Sequence, residues 1–507
     1  MVPQAHDVIA APPSARGPLT ASALETIWAD AFPSLSRPVV PLRPPRPQLL
    51  ALNEKVAGEL GFDVADLRSD EGLRLLTGQV PGAVAQVYAG HQWGQFRPIL
   101  GDGRAALLGE RRGGDGRLRD VHVKGIGPTS MSRVDGFAVV GPMLREYLMG
   151  EAMHALGVPT TRALAVVGTG APVVRDDATL PGAVLARTAA SHVRIGSFEY
   201  ARAQALAQGD TDLLRRLADH VIDRHYPRAR TADHPYRALL AHIVDALAAL
   251  TADWMRIGFV HGVLSTDNVL VSAETIDYGP CAFLDAYEPG AWFSSIDQFG
   301  RYAYDRQPAI MHWNLERLGE ALAPLLCEER DDDLRSALSV AAAIVETFPE
   351  LYEHHRTEAF RAKLGLGRAV ASSVVADLAD TALDLLETHR VDFTGFWRDL
   401  AAAADGDERP ARGRFLGPVA ELDEWLARWS ALGPDAVGIR SVNPIYIARN
   451  HIVEEVLAAA TDGDLGPFAH LVGLLDDPFI ERADPSYRRF AWPAPDDAPR
   501  HRTFCGT

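Results

Sequence analysis

The stretch HGVLSTDNVLVSAETIDYG, residues 261–279, places Asn268 seven residues after His261 and Asp277 nine residues after Asn268. An Asn carbonyl and an Asp carboxylate are hard oxygen donors, the type Mg2+ prefers. Between them Val269–Val271 predicts a short β run, followed by a turn. Just upstream, Leu240, Ile243, Leu247, Leu250, Trp254 and Ile257 recur at helical spacing. They predict a buried helix ended by Gly258.

This order is that of kinase-like phosphotransferases, in which an Asn and a DFG-type Asp hold the metal that bridges nucleotide phosphates. One position breaks with it. The base of an orthodox kinase loop lies two residues after the His, and here that residue is Val263, which has no group to accept a proton. The nearest carboxylate is Asp267. Either Asp267 takes the base role in a shifted geometry, or the site only binds nucleotide.

Working outward, Val121 and Val123 alternate with His122 and Lys124, the period of a half-buried strand. Gly113-Gly114-Asp115-Gly116 separates it from Ala105–Glu110, so the two predict a hairpin. Gly141-Pro142 opens a helix that carries Glu146, and Gly157 and Pro159 stop it. A kinase-like site needs a strand Lys on phosphate oxygens and a helix Glu that positions it; Lys124 and Glu146 stand in that order. Gly101-Asp102-Gly103-Arg104 combines backbone that can approach a phosphate with a guanidinium that can grip one. Asp135-Gly136, and the pair Arg187 and Arg194, are further candidates. Residues 84–110, 163–167 and 183–188 carry strand signals. The pattern Leu49, Leu50, Leu52, Val56, Leu60 suits a helix over 48–60, and 333–350, 371–404 and 450–460 also read as helical.

The expected fold is α+β, a protein-kinase-like two-lobed fold with a helical C-terminal extension. Its units are a flexible tail (1–20), a helical and extended segment (21–83), a β-rich N-lobe with one helix (84–200), a C-lobe with the catalytic and metal-binding loops (201–330), and a helical extension ending in a Cys-containing tail (331–507).

Composition narrows the function classes. The chain has 507 residues, 47% of them hydrophobic, and a net charge of −17, which argues against a general nucleic-acid binder. With no apolar run of membrane-spanning length and no secretory h-region, a cytoplasmic protein without membrane partners is expected. Three cysteines are too few for a disulfide framework. Lysine is scarce: of 50 basic residues only Lys55, Lys124 and Lys363 are Lys. A Lys kept against that bias points to a need for its compact ammonium.

Several segments in order resemble the selenoprotein O family of protein adenylyltransferases, the YdiU-like pseudokinases. They are VYAGHQWGQFRPILGDGRAALLGE (87–110), VKGIGPTSMSRVDG (123–136), LREYLMGEAMHALGVPTTRAL (144–164), ARTAASHVRIGSFE (186–199), GFVHGVLSTDNVLVSAETIDYGP (258–280), GRYAYDRQPAIMHWNLERL (300–318) and NPIYIARNHIVEEVLAAATDGD (443–464). The resemblance implies a kinase fold that binds ATP in flipped orientation and transfers AMP to Ser, Thr or Tyr hydroxyls of proteins. By motif match, Asp267 would be the proton acceptor. Asn268 and Asp277 would bind Mg2+, or Mn2+ in its place. Lys124, Arg187 and Arg194 would contact phosphates, with Glu146 orienting Lys124. Gly101, Gly103, Arg104, Asp135, Gly136 and Asp277 would complete the nucleotide site. The chain departs from the family pattern at Phe137 and Gly141, where Arg is typical, and in a segment one residue shorter before Asp135. By analogy with the family, Cys281 and Cys505 are candidates for a redox pair, with two unpaired thiols as the favoured alternative. An orthodox phosphotransferase and a catalytically silent nucleotide-binding scaffold remain as alternatives, and the oligomeric state is open.

Overall fold

The computed structural model describes residues 24–175, 178–329, 333–495 and 497–503. The expected tail over 1–20 lies outside the described residues. What is described is a mixed α/β fold: one large antiparallel sheet followed by many helices.

The sheet has eight strands: β1 (Ser36–Pro38), β2 (Gln48–Leu52), β3 (Val84–Gln92), β4 (Gln95–Gly101), β5 (Ala105–Arg112), β6 (Leu118–Lys124), β7 (Arg162–Arg175) and β8 (Ala178–Ala189). Their order is β1-β3-β5-β6-β8-β7-β2, with β4 paired to β3 alone. The β5–β6 hairpin forms as expected, with Ala105 opposite Lys124. β6 is not half-buried, however. Val121 and Val123 sink into a cluster with Val56, Leu60 and Phe62, and His122 and Lys124 are buried too. Its polar face is covered because it forms the back wall of the cavity described below.

Four sequence expectations need correction. Residues 48–60 are not one helix: Gln48–Leu52 pairs with β7 at the sheet edge, and a helix runs only over Glu54–Glu59. Asn53 caps that helix by accepting from the Val56 N–H at 3.1 Å, and a short apolar run fits a strand as well as a helix. Val269–Val271 is no strand; Leu270 alone bridges to Arg194. The spans 333–350 and 371–404 each break into two helices, Leu334–Val345 and Phe348–Lys363, where Pro349 stands in the first turn of the second, and Ser372–Thr388 and Phe393–Ala404.

The helix Val140–Ala155 is buried on nearly every side. β7 and β8 cover one face, and the helices Asn450–Thr461 and Gly466–Leu475 cover the other. The expected buried helix spans Pro235–Ile257 and ends at Gly258 with φ 70°. Its length and mean hydropathy of 1.4 would suffice to cross a membrane, but most of it is packed inside the fold. It lies against the helices Gln307–Glu328 and Phe348–Lys363.

Candidate active site

A cavity of about 1120 Å³ opens between the face of β6 and β8, the β3–β4 hairpin, the 261–279 segment and the helix Asn450–Thr461. Strand alternation builds its back wall. Arg187 in β8 stands opposite His122 in β6, so Lys124, His122 and Arg187 share one face.

Three cations converge there on Asp277. Lys124 Nζ lies 2.6 Å from Glu146 Oε1 and 2.9 Å from Asp277 Oδ1. Arg187 Nη1 lies 2.8 Å from Asp277 Oδ1 and 3.4 Å from Glu146 Oε2. Arg194 Nη2 lies 3.9 Å from Asp277 Oδ2 and 4.0 Å from Asp102 Oδ1, with its guanidinium over the Tyr88 ring. Burial alone would raise the Asp277 pKa, but Lys124, Arg187 and Arg194 outweigh it and hold the carboxyl well below the usual range. Asp277 is therefore ionised. It also has φ 61°, a left-handed conformation that Asp adopts more readily than most residues.

Asp267 sits in a different setting. It lies in the single turn Thr266–Asn268. Its Oδ2 accepts from Gln92 Nε2 at 2.8 Å, while Oδ1 is buried with no hydrogen-bond partner among the described residues. Burial pushes its pKa up, against the opposing pull of Ser265 and Gln92. The β3 backbone lies directly on it: a Cβ at Gly90 would fall 2.9 Å from Asp267 Cβ and 3.0 Å from Oδ1. Any side chain at position 90 would displace the carboxylate. Two carboxylates on one cavity thus differ, Asp277 held ionised by cations and Asp267 raised by burial, as acid–base sites require.

Asn268 Nδ2 donates to the Val263 carbonyl at 2.9 Å and to Ser265 Oγ at 3.3 Å, which leaves its Oδ1 as the free end. Asn268 Oδ1 and the Asp277 carboxylate belong to residues lining the same cavity. This all-oxygen donor set fits Mg2+. His261 is no candidate for chemistry: it is fully buried against Trp254 and Phe259, and burial drops its pKa to about 4.

The glycine turn is held by Asp102, which sequence reasoning passed over. Its carboxylate accepts from the Gln86 N–H at 3.1 Å and pairs with His122 Nε2 at 3.2 Å. Burial lowers the His122 pKa, so the ring is neutral, and its Nδ1 takes a hydrogen bond from Arg187 Nε at 3.3 Å. Gly101 has φ 152°, and a Cβ there would lie 2.7 Å from the Gln86 carbonyl.

The structure gathers Gly101, Gly103, Arg104, Lys124, Glu146, Arg187, Arg194, Asp267, Asn268 and Asp277 around one cavity. It does not bring Asp135 or Gly136 into the wall. The Arg175 fork from β7 holds the Asp135 carboxylate at 2.8 and 2.9 Å, and that side chain is 44% exposed. Cys281 is buried beside the site, where burial pushes its thiol up to about 12. Cys505 lies outside the described residues. Two residues before it, Thr503 Oγ1 donates to the Pro280 carbonyl at 2.9 Å.

A family model described as "Protein adenylyltransferase SelO" matches residues 18–476. The chain belongs to this family. Among its SelO relatives, a "Protein nucleotidyltransferase YdiU" from Mycolicibacterium paratuberculosis is 55% identical over 472 residues, covering 91% of this chain and 94% of the relative. One of the same name from Pseudarthrobacter chlorophenolicus is 51% identical over 503 residues, 96% of this chain and all of the relative. Another from Cereibacter sphaeroides is 52% identical over 473 residues, with 91% and 95% covered.

Proposed function

We propose that this chain transfers AMP from ATP to Ser, Thr or Tyr hydroxyls of proteins, using a two-lobed, kinase-like fold. The N-lobe would span 84–200, the C-lobe 201–330, and the helical extension 331–507. Membership of the SelO family and relatives named as protein nucleotidyltransferases support the activity. The observation that carries the site is the convergence of Lys124, Arg187 and Arg194 on Asp277 in a cavity that Asp267 also lines.

In this reading the three cations neutralise ATP phosphates, and Glu146 orients Lys124. Gly101, Gly103 and Arg104 wall the nucleotide. Asn268 and Asp277 would hold Mg2+, which supplies charge neutralisation on the phosphates. Asp267 accepts the proton of the acceptor hydroxyl. The hydroxyl oxygen bonds to the α-phosphorus, the bond from that phosphorus to the α–β bridging oxygen breaks, and pyrophosphate leaves. Val263 accounts for the absence of an orthodox kinase base: the acceptor proton goes to Asp267 instead.

ATP labelled in turn on the α- and γ-phosphate tests this. Retention of the α-label on a protein acceptor, with no γ-label, is the expected result. Retention of the γ-label alone would make the chain a phosphotransferase.

A further inference from the structure

The β3–β4 hairpin carries features that nucleotide binding leaves unused. All five residues Gln95–Ile99 of β4 are exposed, and among the described residues β4 pairs with no strand but β3. Long exposed edges with apolar side chains are usually covered or blunted. Here Phe96 is 43% exposed and Ile99 64% exposed. At the tip, Trp93 packs on Tyr302 with ring centroids 4.9 Å apart and remains 39% exposed.

Arginines frame the same hairpin. Arg97 stands opposite Gly90, the glycine that packs on Asp267, so its side chain leaves the strand on the Asp267 face. Arg133 Nη1 approaches Gln92 Oε1 at 3.4 Å, beside the amide that holds Asp267. Arg301 lies against Gly94 and stacks on Trp313 at 5.2 Å. Among the described residues none of these three forms an ion pair with a carboxylate, and the polar partners of Arg97 and Arg133 are glutamines. The buried cations of the nucleotide end, by contrast, all have carboxylate partners. In a chain of net charge −17, a cationic, apolar rim around the base calls for an anionic partner.

We propose that this hairpin is the docking surface for the acceptor protein, and that it selects a hydroxyl residue flanked by acidic and apolar side chains. The inference rests on the transferase reading above and adds the substrate class. Arg97 and Arg301 take the carboxylates, Ile99 and Trp93, which line the cavity beside Asp267, take the apolar neighbours, and the hydroxyl is delivered to Asp267.

The test uses the full chain, α-labelled ATP and synthetic peptides with one serine beside a phenylalanine, flanked by Glu, Gln or Lys. The Glu peptide should show kcat/KM on the order of tenfold above the Gln peptide, through KM, with the Lys peptide poorer still. The gap should shrink as salt rises. Arg97→Glu with Arg301→Glu should reverse the order of the Glu and Lys peptides and leave KM for ATP unchanged. Equal labelling of all three peptides would overturn the docking inference and leave the transferase reading standing. No α-label on any peptide or on any protein acceptor would overturn both. A dimer that Phe96→Asp separates, with peptide preference unchanged, would assign the surface to a second copy and overturn the inference.

Discussion

Asp277 and Asp267 respond in opposite directions to their surroundings, and single substitutions separate their roles. Asp277→Asn keeps the side-chain shape but removes the charge that three cations share. Calorimetry should show ATP affinity in the presence of Mg2+ falling on the order of a hundredfold, while affinity without Mg2+ changes little. Asp277→Ala is a poorer test, because stripping a buried pair of one partner costs about 3–5 kcal/mol of stability. For Asp267 the handle is Gln92, whose amide stabilises the carboxylate. The Asp267 pKa is already raised by burial. A base works only when deprotonated, so the transfer rate should fall on the acid side as pH drops through that raised value. Gln92→Leu removes a stabilising donor, raises the pKa further and should move the acid limb to higher pH. A pH–rate profile reads the shift; a limb that stays put would separate Gln92 from Asp267. That Lys124, Glu146, Asn268 and Asp277 meet at one cavity was legible in the sequence, because motif order and spacing group them. Gln92 and His122 were not. Gln92 meets Asp267 175 positions away, and no local pattern announces such a pairing. Asp135 had the right motif and the wrong partner: only the folded chain brings Arg175 to it.

At the scale of elements, periodicity succeeded where one face of an element stays dry and failed where both are used. The helix Pro235–Ile257 and the β5–β6 hairpin follow their patterns. β6 shows alternation yet is buried on both faces, because its polar face lines a cavity. Residues 48–60 misread as one helix because apolar residues at a sheet edge mimic a helical stripe over a few positions. The turn inside the 261–279 segment offers a stability test. Glu274 is half-buried, accepts from the Ala190 N–H at 2.9 Å and from Ser272 Oγ, and the loss of water around it pushes its pKa up to about 7. The folded state therefore holds this proton more tightly than the unfolded chain, whose Glu titrates near about 4.3. The stabilisation is fully present below the unfolded value and is lost as pH rises through about 7. Glu274→Gln abolishes that loss. Relative to wild type, its unfolding free energy should gain about 3 kcal/mol between pH 5 and pH 8 in denaturant titrations. A pH-independent difference would show that Glu274 is ionised in the fold.

Across the whole molecule, the site is assembled from segments that the chain keeps far apart. The helix carrying Glu146 is clamped by the C-terminal helices, with Arg145 Nη1 2.9 Å from Glu454 Oε1 and Arg145 Nη2 2.7 Å from the Cys281 carbonyl. Leu457 and Thr461 of the helix Asn450–Thr461 line the cavity itself. The helical extension is thus part of the site wall, which agrees with a family match running through residue 476. Periodicity identified those helices but carried no information on where they pack, since an apolar stripe does not name its partner. The central claim joins this wall to one chemistry: AMP leaves ATP for a hydroxyl whose proton goes to Asp267. Intact-protein mass spectrometry of wild type and Asp267→Asn, each incubated with ATP, Mg2+ and the glutamate-flanked peptide, tests it most directly. The account predicts a peptide heavier by one AMP with wild type and unmodified peptide with Asp267→Asn, although both bind ATP. A peptide heavier by one phosphate, or equal AMP transfer by the two proteins, would contradict it.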